Sequence, residues 1–276
     1  MIEINDLEFS YGSRRVVKNL NLRIDAGETV MVTGPNATGK TTLLRLLAGV
    51  LRPHAGRIDY GLPPGVDPRS GIAYLPETLS IYESMSSREA AAFHAGFFDT
   101  APADLSLAIS AGVDPTTRIR DLSVGQRVLV HLSIVLSTEP RLVLIDEVLH
   151  SVDPFLRGLA FEKLIEVMDS CRPAILMVNL NFHEIENIVD RVVFLGAEGV
   201  RLDEGIERLK AGTRSVFMEA VPPECPVLVT QQLLGESRHI VYPYEPIPGQ
   251  LPEECVHGMD LTEILTAFMG DEYSAS

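Results

Sequence analysis

A short glycine-rich segment carries the residue types that bind phosphate. It matches the pattern G-x-x-x-x-G-K-[ST], follows an apolar run at 29–32 and opens a stretch with helical apolar spacing. Its residues are Gly34, Pro35, Asn36, Ala37, Thr38, Gly39, Lys40, Thr41 and Thr42. Backbone N–H groups of such a loop form a nest for phosphate oxygens, and the helix N-terminus and Lys40 add positive potential. The pattern therefore predicts a nucleotide phosphate site in which Thr41 places its hydroxyl on Mg²⁺.

Two adjacent carboxylates end a second apolar run, at 142–145, about a hundred residues after the loop. A carboxylate at the end of a buried strand beside a phosphate loop can hold Mg²⁺ through water, which is the role predicted for Asp146. Glu147 is predicted to orient or deprotonate an attacking water. Lys40 and Glu147 are therefore the predicted catalytic residues.

Apolar patterns predict an α/β core that positions these groups. Near-continuous runs at 30–33, 142–145 and 174–178 are typical of strands buried in a parallel sheet, and alternating patterns at 2–9 and 16–24 predict an antiparallel layer. Further predicted elements are helices at 87–98, 102–112, 124–137 and 155–171 and strands at 191–195 and 200–203. Residues 76–139 therefore form a predicted helical insertion.

Length and composition limit the class of protein. A chain of 276 residues that is 46% hydrophobic suits one large α/β domain with a small appendage. Its formal net charge of −15 argues against a nucleic-acid partner, because such binding takes a basic surface. Neither a run of the ~20 apolar residues needed for a membrane span nor a signal-peptide pattern is apparent, so a membrane role would need a partner chain.

The last quarter of the chain is a compositionally different piece. Residues 213–276 hold ten Asp or Glu against Arg214 and Arg238, a net charge of −8. Frequent prolines, as at 242–248, rule out a long helix there, while Val227–Val229 and Ile240-Val241 can form strands before a helical pattern at 261–269. We expect a small acidic α+β appendage at 213–276, after a main domain at 1–212.

The segment Leu122-Ser123-Val124-Gly125-Gln126 lies about twenty residues before Asp146 and resembles the signature of ATP-binding cassette (ABC) ATPases. The resemblance covers residues 1 to about 212 in collinear order. It implies an α/β fold with a RecA-like P-loop core, an antiparallel β subdomain and a helical subdomain. It also implies ATP and Mg²⁺ as ligands and a head-to-tail dimer, in which the signature of one chain faces the γ-phosphate on the other. Val124 stands where the family has its first signature glycine.

The same resemblance assigns roles to single residues. Tyr11 matches the aromatic residue on which adenine stacks, and Asp153 matches the aspartate of the D-loop that crosses the dimer interface. Glu77 occupies the Q-loop position, usually glutamine, and a carboxylate there can still ligate Mg²⁺. Leu180 occupies the position of the switch histidine and cannot donate a hydrogen bond to phosphate, so hydrolysis is predicted to be slow. His183, three residues on, is interpreted as an ordinary residue at a helix start.

Two features resemble the ABC-2-type exporter branch, namely Glu77 and the terminal pattern at 259–270. They imply an energy subunit of an exporter, cytoplasmic and attached to the inner face of the membrane through a separate transmembrane permease. Its other partner would be a second copy or a paralogous ATPase, with no nucleic acid.

Two alternatives stay open at this point. One is a hydrolysis-impaired, nucleotide-sensing cassette that pairs with an active paralogue, motivated by Leu180, Val124 and the segment Val148-Leu149-His150 where the family commonly has Pro-Thr. The other is a soluble, non-transport ABC protein that acts on ribosomes or DNA. Such chains usually have two cassettes or a long coiled-coil insertion and a basic surface, none of which is evident here.

Overall fold

A computed structural model describes residues 1–79, 83–98, 100–178, 185–233, 236–245 and 251–274 of the protein. The strands are β1 (Ile2–Tyr11), β2 (Arg14–Ile24), β3 (Thr29–Thr33), β4 (Ala55–Asp59), β5 (Ile72–Leu75), β6 (Leu142–Asp146), β7 (Ala174–Val178), β8 (Arg191–Gly196), β9 (Gly199–Gly205), β10 (Arg214–Phe217), β11 (Val227–Leu233), β12 (Glu236–Val241) and β13 (Val256–His257). The helices are α1 (Lys40–Leu47), α2 (Ser87–Phe98), α3 (Ser106–Ser110), α4 (Val124–Leu136), α5 (Pro154–Cys171), α6 (Ile206–Ala211) and α7 (Leu261–Ser274). Short 3₁₀ turns join several of them.

A central sheet with the order β5-β6-β7-β3-β8-β9 carries the predicted phosphate loop after β3. Its pairs are parallel except β8 with β9, which are antiparallel. Strands β3, β6 and β7 are buried at every position, as the near-continuous apolar runs predict. Because the carboxyl ends of parallel strands meet at one edge, the loop after β3 and the carboxylates ending β6 come together there.

The central sheet separates two apolar clusters, and side chains alternate between them along each strand. On β3, Met31 belongs to a cluster that includes buried residues of α4, α5 and α7. Val30 and Val32 belong to a second cluster, shared with α1 and the antiparallel strands β1 and β2. The predicted antiparallel layer is confirmed, as the sheet β2-β1-β4.

Helices α2, α3 and α4 lie within the predicted insertion and share a third, smaller cluster. The helix predicted at 102–112 is wrong in extent, because only Ser106–Ser110 is helical. The side chain of Asp104 accepts hydrogen bonds from the backbone N–H and the hydroxyl of Ser106, which forms a local turn before the helix. Gly112, with φ +78°, follows its end.

The C-terminal residues form the sheet β11-β12-β10-β13 and helix α7. This part shares its apolar cluster with the central sheet, since the ring of Phe268 on α7 lies 5.8 Å from that of Phe194 on β8. Glu272 on α7 also accepts hydrogen bonds from the backbone N–H of Ala197 and from Arg201, both at 2.7 Å. The C-terminal residues are therefore packed on the central sheet and on the turn between β8 and β9. Within the described residues, no helix is long and apolar enough to cross a membrane.

Candidate functional site

The loop after β3 approaches neighbouring strands so closely that glycine is needed at its first position. Gly34 has φ +136°, and a Cβ atom there would lie 2.1 Å from the carbonyl oxygen of Leu195 on β8. Gly39, with φ +99°, is the residue before α1 and packs against Val16 on β2. The two glycines of the sequence pattern therefore let the loop lie directly on the sheet, with its N–H groups at the start of α1.

Lys40 is held over the loop by the loop's own carbonyl groups. Its Nζ atom donates hydrogen bonds to the backbone oxygens of Gly34, at 2.8 Å, and Pro35, at 2.9 Å. Burial lowers the pKa of Lys40, while the charges of Glu147 and Asp146 oppose that effect. The ammonium group therefore lies within the cradle in which the phosphates are predicted to bind.

Thr41 and Asp146 meet across 105 positions of sequence. The Thr41 hydroxyl donates a hydrogen bond of 3.0 Å to Oδ1 of Asp146, while Oδ2, also buried, has no hydrogen-bond partner among the described residues. Burial, followed by the charges of Glu147 and Glu77, raises the pKa of Asp146 to about 6. A hydroxyl and an unsatisfied buried carboxylate oxygen are hard oxygen ligands, so these two residues fit Mg²⁺.

A cleft of about 550 Å³ lies beside the loop. Its lining comprises Tyr11, Arg14, Val16, Asn36, Ala37, Gly39, Lys40, Thr41, Thr42 and Glu147. Glu147, with φ +34°, follows β6 in the left-handed region, and its backbone N–H donates to the carbonyl of Val178 on β7. This link turns the chain out of the sheet at the residue predicted to act as base.

Tyr11 is an aromatic residue at the outer part of the cleft. The residue is 46% exposed, and its ring packs edge-on against Phe9, with centroids 4.9 Å apart. Arg14, the first residue of β2, was missed by the sequence reasoning. The turn that Gly12 makes between β1 and β2 could have suggested that Arg14 returns beside Tyr11, but the arginine belongs to no motif.

The signature segment is a well-formed helix start. Ser123 caps α4, its hydroxyl accepting from the Gln126 N–H at 3.2 Å, and the Gln126 side chain accepts from the Ser123 N–H at 3.1 Å. Val124 is 48% exposed and Gly125 is buried. Within the described part of the chain, neither these residues nor Asp153 line the cleft of their own chain.

The structure places the remaining candidates as follows. Asp153 caps α5 by accepting from the Leu156 N–H at 3.1 Å. Glu77 is exposed, and its charge raises the pKa of Asp146. Val148 and Leu149 are buried in the cluster shared with α4 and α5. These two apolar residues, which stand where the family commonly has Pro-Thr, therefore belong to the core. Leu180 and His183 lie outside the described residues.

Comparison with known proteins yields consistent matches. A family model described as ABC transporter matches residues 17–150. The chain is 34% identical over 200 residues to the zinc import ATP-binding protein ZnuC 2 of Hahella chejuensis. This alignment covers 71% of this chain and 78% of that protein. The chain is 27% identical over 205 residues to the Nod factor export ATP-binding protein I of Rhizobium etli, covering 70% and 65%.

The fold is also that of a solved cassette. The dimeric structure of MJ0796, a bacterial ABC transporter cassette, superposes with a TM-score of 0.66 at 19% identity and covers 74% of this chain and 98% of that one. The chain covers more than two thirds of the relative to which it is 34% identical. This match, together with the family model, establishes the family. The chain belongs to the ATP-binding subunits of ABC transporters, a family that uses ATP with Mg²⁺ and pairs as dimers with transmembrane permeases.

Proposed function

We propose that this protein is the energy subunit of an ABC transporter that hydrolyses ATP in the cleft beside the loop. The observation that best supports this proposal is the contact of Thr41 with Asp146, whose second carboxylate oxygen is buried with no partner in the part of the chain that the structure describes. Mg²⁺ held by these two residues would neutralise charge on the phosphates. Glu77, whose negative charge raises the pKa of Asp146, is proposed as a further ligand of Mg²⁺.

The chain's own residues supply the remaining steps of hydrolysis. The loop N–H groups and Lys40 bind phosphate oxygens, and Tyr11 offers its exposed ring to adenine. Glu147, which lines the cleft, accepts a proton from the water that attacks the γ-phosphorus. The bond from that phosphorus to the bridging oxygen breaks as the new one forms, so that ADP and phosphate leave.

A second chain completes each site in this proposal. The cleft is open, and the N-terminus of α4 with Ser123 does not line it among the described residues. A head-to-tail dimer would place this helix end, together with Val124, Gly125 and Gln126, on the γ-phosphate of the opposite chain. ATP binding would close the dimer, and release of products would open it, driving a permease at the inner face of the membrane.

The rate of hydrolysis is proposed to be low. Leu180 lacks the hydrogen-bond donor of a switch histidine, and loss of one such donor to a developing charge typically reduces kcat by about 10²–10³. Val124 adds a branched side chain where backbone would approach phosphate. Slow turnover by a chain with intact Lys40, Asp146 and Glu147 is the expected result.

We propose export as the direction of transport. The proposal is supported by Glu77 at the Q-loop position and by the resemblance of the terminal pattern at 259–270 to exporter ATPases. Relatives named for zinc import and for Nod factor export both resemble the chain, so the direction needs a direct test. The complex isolated from native membranes with its permease can be reconstituted in vesicles, and ATP added outside should move substrate inward if the subunit drives export. Outward movement would establish import.

Steady-state hydrolysis by the purified chain tests the enzyme. Wild type should release phosphate from ATP, whereas Glu147→Gln should reduce the rate by at least about a hundredfold, because it removes the base. Glu162→Gln, an exposed residue on α5, is the matched control and should keep the wild-type rate. Equal rates for wild type and Glu147→Gln would refute hydrolysis and favour the nucleotide-sensing alternative, which the apolar Val148-Leu149 pair also motivates.

A further inference from the structure

The signature segment is fitted against the D-loop of its own chain. Gly125, in the first turn of α4, faces the residues at the start of α5. A Cβ atom on Gly125 would lie 2.7 Å from Cδ1 of Leu156, 3.3 Å from Cγ1 of Val152 and 3.5 Å from Oδ2 of Asp153. The two segments therefore approach this closely because residue 125 has no side chain.

Leu156 is restrained on its own side of this contact. It is only 9% exposed and belongs to the apolar cluster that includes Val152 and Leu129. Its backbone N–H donates to Oδ1 of Asp153, so the leucine and the aspartate are joined through the cap of α5. A side chain packed in this way has little room to swing aside.

The signature side of the contact is also rigid. Ser123 and Gln126 bond to each other reciprocally, and the Gln126 side-chain amide donates to the carbonyl of Ala111 at 3.2 Å. Movement of Gly125 therefore moves Ser123 with it. The D-loop aspartate and the signature serine are linked through two contacts, Asp153 to Leu156 and Leu156 to Gly125.

We infer that Leu156 is a positioning residue that holds the signature and the D-loop of one chain as a single unit. Both segments of a chain then arrive together at the nucleotide bound by its partner. This inference rests on the proposed function, because it gives the signature a role across a dimer. Leu156 acts through Gly125 and Asp153 and has no assigned contact with ATP.

ATP-dependent dimerisation of the Glu147→Gln chain tests the inference, because it needs no hydrolysis. In that background, Gly125→Ala should weaken dimerisation with ATP and Mg²⁺ about tenfold, since the new methyl group displaces α4 from α5. Leu156→Val removes the side-chain atom nearest to that methyl group. On its own, this substitution should weaken dimerisation only about threefold. Combined with Gly125→Ala, it should restore dimerisation to within about threefold of the Glu147→Gln parent. Leu156→Ala, combined with Gly125→Ala, is a second variant that leaves more space for the new methyl group.

A matched control separates relief of the contact from general loosening of α5. Leu164 is fully buried on the same helix, two turns further on, and Leu164→Val with Gly125→Ala should show no recovery. ATP affinity of the monomer should stay constant through the series. Failure of the double variant to exceed Gly125→Ala, recovery with Leu164→Val, or a Glu147→Gln chain that stays monomeric in ATP would overturn the inference. Absence of wild-type ATPase activity would instead refute the proposed function, while leaving this dimerisation assay interpretable.

Discussion

Replacing Asp146 by asparagine should stabilise the nucleotide-free protein while abolishing Mg-dependent ATP binding. Asp146 is 1% exposed, and burial is the largest cause that raises its pKa from 3.8 to about 6. An asparagine oxygen can still accept the hydrogen bond from Thr41. It carries no charge, however, so the cost of burying an ion is removed together with the ligand for Mg²⁺.

The size of the effect follows from the two pKa values. Each pH unit between them is worth about 1.4 kcal/mol, so ionised Asp146 destabilises the folded state by about 3 kcal/mol. The buried amide N–H groups of the new asparagine would lack hydrogen-bond partners, which offsets roughly 1 kcal/mol of the stability gained by removing the charge. A net gain of about 2 kcal/mol corresponds to a rise in Tm of about 4–8 °C.

The gain should depend on pH with a defined sign. Between the unfolded pKa of 3.8 and the folded pKa of about 6, the folded state binds more protons than the unfolded state, so wild-type stability falls as pH rises through this window. The advantage of Asp146→Asn should therefore be fully present above pH 6 and should vanish near pH 4. Asp67, whose pKa Arg69 lowers to about 2, provides the control, because Asp67→Asn should give no gain at any pH.

Thermal unfolding from pH 4 to 8 without nucleotide, together with calorimetric titration of ATP and Mg²⁺, measures both effects. A variant that is less stable than wild type at pH 8 would refute the reasoning. So would a gain that is independent of pH, or retained Mg-dependent affinity.

Three further predictions concern the loop, the signature and the C-terminal helix. Gly34→Ala should reduce ATP affinity by at least about a hundredfold, measured with a fluorescent nucleotide, because the methyl group meets backbone 2.1 Å away. Chains with Ser123→Ala and with Lys40→Ala should each lack ATPase activity, but a mixture should recover part of it by forming one intact site per dimer. Glu272→Ala should lower the free energy of unfolding in urea by about 1 kcal/mol, since it removes an exposed hydrogen bond to the backbone N–H of Ala197 and the ion pair with Arg201, and Glu272→Gln should lower it by less.

Each of these has a result that would contradict it. Gly65 also has a positive φ, +88°, but open space around its Cβ position, so Gly65→Ala controls for backbone strain and should bind ATP normally. Equal affinity of the two alanine variants would refute the close fit of the loop. A mixture no more active than its components would argue against sites shared between chains. Equal losses for the two Glu272 variants would mean that the ion pair with Arg201 dominates.

Much of the site could be predicted because its residues are consecutive in the chain. Gly34 to Thr42 form a loop whose geometry depends on local backbone conformation, and the apolar run before Asp146 is a local pattern of burial. Their meeting follows from the rule that parallel strands share a carboxyl edge. The length of α3 could not be predicted, because the local hydrogen bonds of Asp104 compete with helix extension.

The sequence by itself therefore determined the class of fold and predicted the nucleotide loop and the two carboxylates, since each is encoded by residue type at short spacing. Only the tertiary structure decided that Arg14 lines the cleft, that Gly125 abuts Leu156 and that Glu272 holds the turn between β8 and β9. It also decided the raised pKa of Asp146, which depends on how completely the surrounding strands exclude water. These features arise between segments far apart in the chain, where packing of the whole molecule sets the distances.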